Sequence, residues 1–137
     1  MAGSGPDLVK LLQQGSVLWN HWREQHPNQQ LDLRGARLSY ARLENTNLMQ
    51  VNLSGANLSY ARLRNANLSY ADLREANLSY ADPSEARLKY ANLRQADLHS
   101  ADLSYAQLQG ADLSYADLRG AWLQCGDCVN QVRDVAD

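Results

Sequence analysis

The chain has 137 residues, 45% of them hydrophobic, with no Phe, two Cys and a formal net charge of −2. That length fits one domain. No stretch approaches the roughly 18 apolar residues of a membrane span, and two cysteines are too few for a disulfide framework, so a reducing cytoplasm is the expected setting.

The first predicted element is helical. Leu8, Leu11, Leu12, Leu18, Trp19 and Trp22 share one face at helical spacing, and Gly15 interrupts them at a cost of about 1 kcal/mol relative to Ala. Ser4 followed by Asp7 has the form of a capping box, Pro6 suits a first turn, and Pro27 marks the exit. The opening run Met1-Ala2-Gly3-Ser4-Gly5-Pro6 lacks the basic and apolar segments of a secretion signal. Lys10 and Arg23 are too few bases for a helix lying on a membrane surface. Residues 1–30 are therefore expected to form an N-terminal capping helix and linker.

From 31 to 125 the chain repeats every five residues. Of these 19 units, 18 centre on Leu, and 16 carry Ala two residues earlier. A helix would step successive leucines about 140° around its axis, and a flat strand would send alternate ones to opposite faces. Only a chain that turns a corner in each unit returns every Leu to one interior. No unit buries its Leu alone, so the coils must stack, and the fold class is an all-β solenoid.

Runs such as Ala56-Asn57-Leu58-Ser59-Tyr60 and Ala111-Asp112-Leu113-Ser114-Tyr115 resemble the A(D/N)LXX motif of the pentapeptide-repeat family. The resemblance covers 31–125 without an insertion, and the Leu-Ser-Tyr-Ala units have a consensus-like regularity. It implies a right-handed quadrilateral β-helix with four units per coil, hence nearly five coils. The segment Leu18-Trp19-Asn20-His21-Trp22-Arg23 is also similar to N-terminal extensions of bacterial members, cyanobacterial ones in particular.

Pro83 stands where Leu is expected, and because it lacks an N–H it should weaken one link between coils without ending the domain. Residues 126–137 are expected to be a short C-terminal cap or tail, with Trp122 at its approach. The ends need covers because stacked coils leave unpaired backbone there. The repeat region is neutral, but 31–70 holds five bases and two acids, whereas 71–125 holds five bases and eight acids.

An aliphatic interior leaves function to the outer surface, and the chain is not expected to be an enzyme. No catalytic residue, cofactor or metal is assigned. His21, His26 and His99 stand apart in the repeat map. Asp82 and Asp102, one coil apart, are expected to hydrogen-bond to turns rather than form an acid/base pair. Cys125 and Cys128 lack the second ligand pair of a structural zinc site and the βαβ setting of a redox motif. All seven Tyr occupy the last position of a unit. At 20 residues per coil, Tyr40, Tyr60 and Tyr80 fall in one column, and Tyr70 and Tyr90 in an adjacent one. Such columns can stabilise the sheet by stacking or offer a surface to a protein partner.

The expectation is a non-enzymatic bacterial scaffold or protein-interaction module, monomeric or weakly dimeric through an end, with an unknown protein partner. Direct nucleic-acid binding is unlikely, since the arginines form no run. The resemblance also implies an alternative, since some members mimic DNA, bind a type II topoisomerase (gyrase) and protect it from poisons. Their mechanism needs negative charge along the rod, which the basic first half does not supply.

Overall fold

The computed structural model describes residues 7–124 and the backbone of 132–133. Expectations placed on Ser4, Pro6, Cys125 and Cys128, and on most of the C-terminal cap, lie outside the described residues.

Helix α1 spans Leu8–Gln13, and its N-cap is Asp7, whose carboxylate accepts from the Lys10 N–H at 3.2 Å. Asp is among the preferred residues for that position. Gly15 adopts φ 110°, ψ 164° and divides the helical segment, so that α2 runs Ser16–Gln25. It ends at His26, as expected one residue before Pro27. Leu12 and Trp19 are fully buried, while Leu8, Val9, Leu11 and Trp22 pack against the same core.

The repeat region is a four-sided stack. Parallel bridges join second residues of units 20 positions apart, from Asp32↔Asn52 to Asp102↔Trp122, with one break at 82–102. We number the sides by their first units: side 1 begins at 31–35, side 2 at 36–40, side 3 at 41–45 and side 4 at 46–50. The central leucines from Leu33 to Leu113 and most of the alanines beside them are buried, which makes one aliphatic shaft. Each buried Leu contributes about 1.5–3 kcal/mol over its exposed state.

The unit 56–60 shows how five residues dispose of five backbone N–H groups. Ala56 donates back to Leu53 O at 3.0 Å, which closes the turn. Asn57 donates to Ala36 O in the coil below, whereas Leu58 and Tyr60 donate to Asn77 O and Ser79 O in the coil above, at 2.7 to 3.0 Å. The Ser59 N–H meets the side-chain oxygen of Asn57 at 3.0 Å. Nothing is left over, as buried and half-buried backbone requires.

From Gly35 to Gly120 each unit's last residue takes the left-handed conformation, as at Tyr60 (φ 61°) and Glu85 (φ 60°). That strain of about 1–2 kcal/mol in a non-glycine residue is offset by the turn bond and the inter-coil bond it permits. Gly110 has a further reason to be glycine: a Cβ there would lie 2.5 Å from Cδ1 of Tyr90.

Pro83 keeps the buried central place of its unit. Register survives on both sides, with Asp82 N–H to Ala61 O at 2.9 Å and Asp102 N–H to Ala81 O at 3.0 Å. Proline has no N–H for Asp102 O, and among the described residues the 82–102 pair is the one break in the bridge series between 32 and 122. Pro83→Leu should restore that bond and extend the leucine shaft. The gain, set against greater freedom of the unfolded chain, comes to about 1 kcal/mol. Thermal melting checks this; an unchanged or lower midpoint would show that side 3 is shaped around proline.

At the far end, strand β1 (Ala111–Asp112) pairs in parallel with β2 (Val132–Arg133). The spacing there is 21 residues rather than 20, so the returning chain carries one extra residue before it lies along side 1.

Candidate interaction surface

Polar chemistry lies outside the shaft. The second position of each unit is exposed or half-buried, and in 13 units it is Asp or Asn whose Oδ1 accepts from the N–H two residues later. Asp82 and Asp102 both do this, to Ser84 and Ser104. These side chains hold turns, as expected of them.

Three units add a guanidinium to the same carboxylate. In Asp32–Arg34, Asp72–Arg74 and Asp117–Arg119, the Asp Oδ1 accepts from the backbone N–H and Nε of the Arg, while Oδ2 pairs with Nη2. The Arg119 hydrogen bonds hold Asp117 down at about 2. Arg34 and Arg74 depress Asp32 and Asp72 in the same direction. A depressed folded-state value means that the unfolded chain binds more protons in acid. The resulting stability is complete above the ordinary carboxylate range near ~4 and is lost as pH falls through the folded values. Melting temperature should therefore decline between about pH 4 and 2. Asp117→Asn, which keeps the turn acceptor, should flatten part of that decline; an identical profile would contradict the assignment.

The tyrosine columns form. Tyr40 and Tyr60 stack with ring centroids 4.8 Å apart and planes 6° from parallel; Tyr60 and Tyr80 stack at 4.9 Å and 5°. Tyr70 and Tyr90 stack at 5.2 Å. The two columns are not adjacent, contrary to the sequence expectation. Ten residues are half of a 20-residue coil, so the second column stands at the diagonally opposite corner. The rings remain 45–68% exposed.

The Tyr40–Tyr60–Tyr80 column flanks an open groove of about 760 Å³ on side 3, lined also by Arg42, Arg62, Arg64, Glu44 and Asp82. Arg64 pairs with Glu85 at 2.7 Å. Arg42 and Arg62 are in register one coil apart, and neither has an ion pair among the described residues.

His99 is less isolated than its sequence context suggested. Its Nδ1 lies 2.7 Å from Asp97 Oδ1, its ring meets Tyr80 edge-on, and Asp117 of the next coil completes a cluster within 4.8 Å. The cluster was hidden because the 18 residues from His99 to Asp117 become neighbours only through the coil period. Its donors are already engaged, since Arg119 occupies both oxygens of Asp117.

The sequence reading also missed how α2 meets the first coil. Side 4 of that coil has no strand below it, and Asn20 takes the place of one. Its side chain accepts from Asn47 N–H at 2.8 Å and donates to Asn45 O at 2.9 Å. Trp19 Nε1 and Arg23 both donate to Asn47 O, and Arg23 also reaches Met49 O. Partial burial lowers the Arg23 value, yet the group stays charged.

A family model described as pentapeptide repeats matches eight copies over residues 32–69, 66–104 and 91–124. Among solved structures, a pentapeptide repeat protein from Nostoc PCC 7120 is 35% identical, covering 83% of this chain and 94% of its own, with a TM-score of 0.51. Another, from the cyanobacterium Cyanothece 51142, is 33% identical over 76% of this chain and 66% of its own, with a TM-score of 0.50. The chain thus spans just under two thirds of that second protein. Full-length QnrB1, a plasmid-mediated fluoroquinolone resistance protein, is 16% identical over 77% of this chain and 90% of its own; at a TM-score of 0.34 this likeness carries no argument. No curated protein sequence matches the chain.

Proposed function

The chain belongs to the pentapeptide-repeat family, and from that premise we propose that it is a non-enzymatic scaffold that binds a protein partner along the Tyr40–Tyr60–Tyr80 corner, with Tyr70 and Tyr90 as a second surface. The observation that carries this is the pair of ordered, half-exposed aromatic columns on a rod whose interior is aliphatic. Stacked rings present contact area with little side-chain entropy left to lose. A bacterial cytoplasmic setting fits the cyanobacterial relatives and the sparse cysteines. No helix among the described residues is long and apolar enough to cross a membrane.

The test is affinity capture with the intact protein and with a Tyr60→Ser/Tyr80→Ser variant of matched secondary structure. A partner retained by the first and lost by the second is expected. Equal capture by both would remove the Tyr40 column from the reading. DNA mimicry is disfavoured by Arg42 and Arg62 in register on side 3. Gyrase supercoiling should accordingly be unaffected by the protein.

A further inference from the structure

Arginine at the second position gives up a hydrogen bond. Where Asp or Asn stands there, its oxygen accepts the N–H two residues on. With Arg62 in that place, no acceptor meets the Arg64 N–H among the described residues, and the same holds for Glu44 N–H beyond Arg42. Both open N–H groups lie beside the groove of the tyrosine column. Like charges directly opposite one another also repel, and Arg42 against Arg62 is such a pair; Asp82 is in register on the other side of Arg62, but neither Arg is within ion-pair distance of an acid among the described residues.

The rest of the molecule shows what fits this gap. In Asp32–Arg34, Asp72–Arg74 and Asp117–Arg119, a carboxylate sits on the equivalent backbone N–H and is clasped by a guanidinium. At Arg62 the Arg64 N–H is open while its guanidinium is held by Glu85, so the guanidinium groups left beside that N–H are those of Arg42 and Arg62. We propose that a Glu or Asp side chain of the partner fills this place, accepting from Arg64 N–H between Arg42 and Arg62, while its apolar neighbours lie along the edges of Tyr40 and Tyr60. This rests on the interaction reading above and specifies its partner as an acidic, partly apolar protein segment.

Two observations favour a protein carboxylate over a nucleic-acid strand. Tyr40, Tyr60 and Tyr80 are closed face to face and His99 stands edge-on against Tyr80, so the faces between these rings are closed to stacking bases and only the outer face of Tyr40 has no ring against it. Glu44 and Asp82 also line the groove, which confines the positive stretch to Arg42 and Arg62 and suits a single carboxylate better than a polyanion.

The decisive variant is Arg62→Asp, which supplies the carboxylate from within the chain, as Asp72 does for Arg74. It should fold as well as the parent. Binding of a fluorescein-labelled peptide of alternating Glu and Leu would be followed by anisotropy. The parent protein should bind it, Arg62→Asp should weaken binding about tenfold or more, and Arg87→Asp on side 4 should leave it unchanged. Equal binding by Arg62→Asp, no binding by the parent, or a preference for single-stranded oligothymidylate would each overturn the inference. If a captured partner still depends on the tyrosines but not on Arg62, the interaction reading stands and this inference alone fails.

Discussion

Trp19→Ala is expected to destabilise the protein by about 3–5 kcal/mol, the usual cost of deleting a buried aromatic side chain. The indole is fully buried and its Nε1–H lies 2.7 Å from Asn47 O, on the strand edge that no coil covers. A solenoid's units contact only their neighbours, so the loss should be felt locally. Amides bonded to the first coil, such as Asn52 to Leu31 O and Asn67 to Thr46 O, should exchange faster with solvent. Asn92 and Asp97, which bond Ala71 O and Ala76 O higher in the stack, should keep their protection. Trp19→Phe should cost far less, because Arg23 still serves Asn47 O. Uniform loss of protection along the rod, or none at all, would show that α2 does not act as a cover.

Leu73→Ala should cost about 2–5 kcal/mol, and in a different way. Leu73 has no exposed surface and stands in the middle coil, in line with Leu53 below and Leu93 above. A void there interrupts the shaft and divides the stack, so melting should become broader as well as earlier. Leu73→Met, which conserves volume, should cost less than about 1.5 kcal/mol. In the last described unit Leu123 is 41% exposed, and Leu123→Ala should fall within about 0.5 kcal/mol of the parent. Calorimetry of the three variants checks the ordering, and equal losses at Leu73 and Leu123 would contradict a single central shaft.

The right-handed quadrilateral β-helix implied by the family motif is the fold found, and it was legible because a period of five admits so few backbones. Leu at 18 of 19 third positions and Ala at 16 of 19 first positions leave one way to share an interior. The columns Tyr40–Tyr60–Tyr80 and Tyr70–Tyr90 followed from the same arithmetic. Their diagonal relation was missed only because half a coil was taken for a quarter. His99 and Asp117 were separable in the sequence but not in space, since a fourth position meets the second position of the coil above.

What could not be read was docking that has no period. Asn20 and Arg23 look like ordinary polar residues on an amphipathic helix, and their roles exist only once α2 lies against side 4. The open N–H groups beyond Arg42 and Arg62 were likewise invisible until the Asp and Asn side chains elsewhere were seen to fill that place.

Every surface assigned here depends on residues 20 apart being neighbours across coils, and one bond reports it directly. Scalar coupling across the hydrogen bond from Leu58 N–H to Asn77 O, 2.7 Å long, should be visible by NMR as a correlation between the Leu58 nitrogen and the Asn77 carbonyl carbon. A correlation from Leu58 to the carbonyl of Ser54, as an α-helix would give, would contradict the account.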